Sequence, residues 1–202
     1  MTLEILQVPS DEEGARSYVE KYKAFRLHSL QVSPEAFLST YAREKEFSMD
    51  VWLARLVNPS ATTFIVTQSD RILSSLTVLS NLSMAPEEVS PLANPWISSN
   101  REATSVPRTV LHSRINGLFT LPEARRQGLG QALIERAIAY TATEAESVGK
   151  NFVMSIAVET SNIAAKDLYR RCGFVVIAEE IGAQGHNNEL RTVCLLKYTP
   201  KL

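Results

Sequence analysis

The stretch at residues 118–136, LFTLPEARRQGLGQALIER, limits what this chain can become more than any other. Leu118, Phe119 and Thr120 suit the end of a strand, and Pro122, which cannot donate to a ladder, stops it. A basic, glycine-containing loop follows at Arg125, Arg126, Gln127, Gly128, Leu129 and Gly130. From there Leu129, Ala132, Leu133, Ala137 and Ile138 recur at helical spacing, so a helix is predicted over 128–148, ending near Gly149. Strand, loop and helix N-terminus in this order make an anion site. The first helical N–H groups have no internal acceptor, the helix dipole is positive there, and glycines at 128 and 130 leave room against the backbone. Arg125 and Arg126 add full charges. The loop is neither a P-loop, since no Gly-Lys-Ser/Thr follows, nor a dinucleotide fingerprint, since position 133 is Leu.

The remaining pattern alternates strands and helices. Residues 3–8 read as a strand. Ser10 or Asp11 caps a helix over 12–30, with Glu12 and Glu13 in its first turn. Ser33-Pro34-Glu35 predicts a second helix carrying Tyr41, Glu44 and Glu46, and Ser48 or Asp50 starts a third segment through Trp52 to Val57. Strands are expected at 62–67 and 72–79, joined by a hairpin turn. Residues 81–107 are rich in proline and serine and read as a long irregular insertion, either a lid beside an acceptor site or disordered. Residues 109–120 form the central strand, with His112, Arg114, Asn116 and Leu118 sharing one face. Polar residues there are costly unless the face lines a wet cleft, and Gly117 marks a bulge or a close backbone approach. A strand at 152–158, a helix capped at 160–162 and running to Cys172, a strand at 174–179, a turn at 181–188 and a last strand at 189–198 complete an α+β arrangement around a mixed sheet of about seven strands.

Two blocks in this order carry a family resemblance. Arg125-x-x-Gly128-x-Gly130 after Thr120-Leu121-Pro122-Glu123 resembles the acyl-CoA signature of the GNAT superfamily of N-acyltransferases. Asn162-Ile163-Ala164-Ala165-Lys166-Asp167-Leu168-Tyr169, continuing through Cys172-Gly173-Phe174, resembles its later motif. The match is best over about residues 112–180. The resemblance implies the GNAT fold, a mixed and mostly antiparallel sheet with flanking helices and a V-shaped opening between the fourth and fifth strands, and one domain over 1–202 interrupted at 81–107. It also implies acetyl-CoA as co-substrate, no metal, and direct acyl transfer to a primary amine. Carried over by position, it assigns CoA binding to Leu118, Phe119, Thr120, Arg125, Arg126, Gln127, Gly128, Leu129, Gly130, Gln131 and Asn162. Asn162 is equally readable as a plain helix cap.

The resemblance makes Tyr169 the candidate acid for the leaving thiolate, with a packed helix aromatic as the alternative. The base is less legible. Some family members carry Glu at the position of Ala157, which this chain lacks. Glu159, two residues on and so on the same strand face, and His112, whose ordinary pKa suits neutral pH, are the candidates, and a water relay is the third option. The acceptor is expected to be a small amine, to which Glu35, Glu44 and Glu46 on the early helices are mildly suited. A protein amino terminus, a lysine side chain or a non-catalytic acyl-CoA-binding module are the other readings. Tyr41 and Trp52 are also possible acceptor contacts, unless Trp52 belongs to the core.

Composition sets outer limits. With 202 residues, 45% hydrophobic and 21% charged, the chain has enough apolar material for a substantial core. The net charge of −1 gives no broad basic face for nucleic acid. Cys172 and Cys194 fit neither a redox pair nor a metal spacing and read as ordinary thiols. No leader or 18-residue apolar run is evident, so the expectation is a cytoplasmic protein without a membrane partner; a homodimer is allowed for.

Overall fold

The computed structural model describes residues 2–37, 39–92, 107–184 and 190–200. Residues 93–106 of the expected insertion and 185–188 of the expected turn lie outside this range. Seven strands form one mixed sheet in the order β1-β2-β3-β4-β5-β7-β6. They are β1 Glu4–Gln7, β2 Ala61–Gln68, β3 Arg71–Leu79, β4 Val110–Thr120, β5 Asn151–Glu159, β6 Phe174–Gln184 and β7 Leu190–Tyr198. The helices are α1 Glu12–Val32, α2 Tyr41–Glu44, α3 Met49–Leu56, α4 Leu129–Ser147 and α5 Ile163–Arg171. By contacts the chain divides into residues 1–77 with 117–133, and residues 78–116 with 134–202.

In the first unit, Asp11 is the cap of α1, its Oδ1 accepting from Gly14 N–H at 2.8 Å, and Glu12 and Glu13 complement the dipole. The second predicted helix does not form as one piece. Ser33 has φ −149° and ψ 60°, and its hydroxyl accepts from Arg125 instead of capping, so only a 3-10 turn at Pro34–Ala36 follows. Thr40 then caps the single turn of α2, its Oγ1 accepting from Arg43 N–H at 3.0 Å. Ser48 caps α3 through Val51 N–H. β1 runs antiparallel to β2, and Ser69 and Asp70, both at positive φ, make the two-residue turn between β2 and β3. The core here is built on Leu30, Trp52, Leu56, Phe64, Ile65, Val66 and Leu76.

In the second unit, β4 pairs in parallel with β5 from Val110↔Asn151 to Ile115↔Ile156. β5 then pairs antiparallel with β7, and β7 with β6. β6 is longer than predicted, running past 179 to Gln184, and carries two bulges. Residues 81–92 are packed rather than loose: Leu82 N–H donates to the His112 carbonyl at 3.0 Å, and Leu82 and Val89 are buried. Asn162 caps α5, its Oδ1 accepting from Ala165 N–H at 3.1 Å. The core includes Ile115, Met154, Ile156, Phe174 and Cys194 to Leu196.

Candidate functional site

The Arg/Gly loop lies wholly in the first unit, and its local geometry follows from its residues. β4 ends at Thr120, and Leu121 N–H returns to the Leu73 carbonyl at 2.9 Å, fixing the exit of the chain. Arg126 has φ +64° and Gly128 φ +78°. Arg125 before them is extended, at φ −69° and ψ 165°; turns with left-handed residues can present backbone N–H groups to an anion. A Cβ built on Gly128 would meet nothing within 4 Å, so the backbone is open on that side. Helix α4 starts immediately afterwards, and Ala132 N–H bonds to the Gly128 carbonyl at 3.0 Å. A loop with two left-handed residues, an open glycine and a helix start have the chemistry of an anion site.

Arg125 has a different place from the one expected. Its Nε donates to the Thr120 carbonyl at 3.1 Å, its Nη2 donates to Ser33 Oγ at 3.1 Å, and its guanidinium lies 5.3 Å from the Phe119 ring centroid. It braces the loop onto the strand end, while Arg126 and Gln127 remain exposed. Of the strand groups assigned to the pantetheine arm, the Phe119 carbonyl accepts from Ser74 Oγ at 2.9 Å and the Thr120 carbonyl is held by Arg125. Gly117, at φ +64° and with open space beside it, is the kink expected within β4.

The acceptor contacts expected on the early helices resolve differently. Glu44 is 1% exposed, and its carboxylate accepts from Arg26 at 2.8 and 3.1 Å and from Arg55 at 3.0 Å. Burial alone would raise its pKa; the hydrogen bond and charge of Arg26, with Arg55, outweigh this and hold it at about 2. Both arginines also stack on aromatics, Arg26 over Phe37 at 4.3 Å and Arg55 over Phe47 at 4.9 Å. Glu44 is therefore a buried structural anion, neither a solvated residue nor an acceptor contact, and Trp52 is in the core.

Tyr169, Glu159, His112 and Asn162 belong to the second unit. Tyr169 is buried on α5, edge-on to Phe174 at 6.2 Å, and its hydroxyl has no hydrogen-bond partner among the described residues. Burial, with Cys172 adding, pushes its pKa up, so it stays a protonated donor. Glu159 is paired with Arg191 at 3.0 Å and is partly exposed. The expectation of a near-neutral imidazole at His112 does not hold. The residue is buried, and burial, opposed by the Met84 carbonyl and aided by Arg114, lowers its pKa to about 4. Its Nδ1–H donates to the Met84 carbonyl, which leaves Nε2 to accept from the Ser155 hydroxyl at 2.9 Å. Both ring nitrogens are committed. Ser155 in turn accepts from Arg114 Nε at 3.3 Å. The polar face of β4 is thus a buried network rather than a wet wall. Of its members, Arg114 and Ser155 carried no assigned role in the sequence; the only signal was a charged residue on an internal strand. Asn162 uses its side-chain oxygen as a cap.

A family model described as acetyltransferase (GNAT) family matches residues 28–174. The chain belongs to that family and is an acyl-CoA-dependent N-acyltransferase. Solved structures share the fold at low identity. A GNAT-family acetyltransferase from Streptococcus pneumoniae is 18% identical with TM-score 0.64, covering 97% of this chain and 98% of that one. Spermidine N-acetyltransferase from Vibrio cholerae, in complex with CoA and spermine, is 14% identical with TM-score 0.62, covering 96% and 94%. Arabidopsis thaliana NAA60 with a bisubstrate analogue is 15% identical with TM-score 0.63, covering 98% and 97%. Among curated proteins the sequence finds no match. None of the described helices is long and apolar enough to cross a membrane.

Proposed function

We propose that the chain transfers the acetyl group of acetyl-CoA to a primary amine of a small molecule, by direct attack with both substrates bound, as one domain. The observation that carries this reading is the braced loop: Arg125 ties it to Thr120, Gly128 opens its backbone, and α4 starts behind it. Acetyl-CoA, when bound, supplies the activated thioester. The loop N–H groups from Arg126 to Gly130 hold its pyrophosphate, with Arg126 and Gln127 at the exposed rim. Leu118, Phe119 and Thr120 offer the strand backbone to the pantetheine arm, and Asn162 starts the helix that carries Tyr169.

The reaction makes a C–N bond and breaks a C–S bond, so one proton must leave the amine and one must reach the sulfur. Tyr169 fits the second task as a hydrogen-bond donor that stabilises the departing thiolate, because burial keeps the phenol protonated at neutral pH, and the sulfur then takes its proton from water. Glu159 fits the first better than His112, since His112 has neither a free nitrogen nor the basicity. A carboxylate paired with Arg191 takes the amine proton directly or through one water. Positioning of the amine supplies much of the rate.

Calorimetry with acetyl-CoA, followed by thiol release against an amine panel, tests the reading. Gly128→Asp should abolish binding, because it sets a carboxylate against the pyrophosphate. Unaltered affinity in that variant would remove the loop from the site.

A further inference from the structure

One side chain of the second unit carries a charge without a counter-charge. Arg114 is among the largest fully buried side chains, yet its Nη1 and Nη2 have no hydrogen-bond partner among the described residues. Only Nε is engaged, with Ser155. Carboxylates of the described part of this unit make their contacts elsewhere, among them Glu87 with Lys197, Glu88 with the Ala85 N–H, Glu159 with Arg191, Asp167 with Arg170 and Glu180 with the Ser90 hydroxyl. Burial lowers the Arg114 pKa to about 10, and no acidic neighbour opposes it. A buried guanidinium left unpaired is costly, because desolvation is not repaid by an ion pair. Such groups concentrate where a ligand completes them.

We propose that Arg114 receives the carboxylate of the acceptor, so that the acceptor is an amine that also carries a carboxylate, of the amino-acid class. This rests on the acetyltransferase reading above. The open edge of the guanidinium is the Nη1/Nη2 pair, two parallel donors that match the two oxygens of one carboxylate. A single cation also balances a carboxylate's single charge, whereas a phosphate would bring a second negative charge with nothing to meet it. Arg114 pairs in register with Ser155, and Ala157 and Glu159 follow Ser155 on the same period-two face of β5. The charge receptor on β4 and the candidate base on β5 thus lie on one face of the paired strands. Two residues before Arg114 on the strand, the 81–92 segment is pinned at His112 through the Leu82 N–H and the Met84 carbonyl.

The experiment compares matched acceptors in thiol release from acetyl-CoA: the common α-amino acids, β-alanine and γ-aminobutyrate, each beside its own carboxamide. The wild type should favour at least one carboxylate over its amide by about 10- to 100-fold in kcat/KM, the range of a charge-assisted hydrogen-bonded pair. Arg114→Met should reduce that ratio to near one while its affinity for acetyl-CoA in calorimetry stays that of the wild type; Arg114→Lys should keep part of the preference. Without ligand, Arg114→Met should melt at or above the wild-type temperature, because it removes an unpaired buried charge. The carboxylate-bearing substrate should raise the wild-type melting temperature, and its amide should not. Amides used as well as carboxylates, a preference that survives Arg114→Met, or no thermal shift with any carboxylate-bearing amine overturns the inference. Failure of the wild type to bind acetyl-CoA overturns instead the reading on which it rests.

Discussion

His112→Asn gives a sharp test of how the buried network on β4 is charged. The imidazole is held neutral: its pKa falls from 6.5 to about 4, chiefly because burial penalises the cation. The unfolded chain therefore binds a proton between these values that the folded chain refuses. Stability from this group is fully present above pH 6.5 and is lost as pH falls toward 4. The drop of about 2.5 pH units, at about 1.4 kcal/mol each, amounts to roughly 3 kcal/mol. Asn keeps a donor where Nδ1–H meets the Met84 carbonyl but cannot titrate. It loses ring volume, which costs the same at every pH. Urea unfolding of both proteins at pH 7 and pH 4 isolates the titration as a difference of differences. The penalty of His112→Asn should shrink by about 3 kcal/mol between pH 7 and pH 4. A penalty that stays constant would mean that His112 is not buried as a neutral ring, and the Ser155–Arg114 chain built on it would have to be redrawn. The same neutrality predicts that His112→Asn leaves the shape of the kcat pH profile unchanged.

Further outcomes follow from the Glu44 cluster, the loop and Tyr169. Glu44→Gln should destabilise the fold by about 3–5 kcal/mol, since it leaves Arg26 and Arg55 without their shared anion; chemical denaturation reads it, and acetyl-CoA affinity should not move. Glu44's contribution is present above pH 4.5 and is lost as pH falls through about 2, below the window of His112. Arg125→Ala should weaken acetyl-CoA binding about tenfold in calorimetry by freeing the loop from Thr120 and Ser33, the loss of roughly 1.4 kcal/mol. Tyr169→Phe should cut kcat by at least about tenfold with acetyl-CoA affinity unchanged. Equal turnover would return Tyr169 to the role of a packed aromatic beside Phe174.

Much of the fold was legible because local rules and tertiary demands agree. Asp11, Ser48 and Asn162 are good caps in any context, and they cap α1, α3 and α5. The β-branched run of 62–67 and the returning strand expected at 72–79 appear as β2 and β3, joined by one hairpin turn. The second predicted helix is interrupted at Phe37, whose backbone is extended at φ −131° and ψ 148°, and the Ser33 hydroxyl read as its cap accepts instead from Arg125, a residue 92 positions away. Residues 81–92 read as loose from their prolines, yet they gain order from hydrogen bonds to His112 on β4.

The chain alone carried the Arg/Gly loop motif, the family to which it belongs and the order of strands and helices, because each depends on neighbours within a few residues of one another. Tertiary structure alone decided which charges are free to act. Arg125 and Glu44 look like ligand-facing groups in sequence and are consumed by bracing and burial. His112 looks like a neutral-pH base and is made a weak one by desolvation. Arg114 looks like one polar residue among several and emerges as a buried guanidinium whose two ends have no partner among the described residues. The reason is physical: a cap or a turn is set by adjacent backbone, whereas the state of a charge depends on the water and counter-ions around it, which are fixed only when distant segments pack.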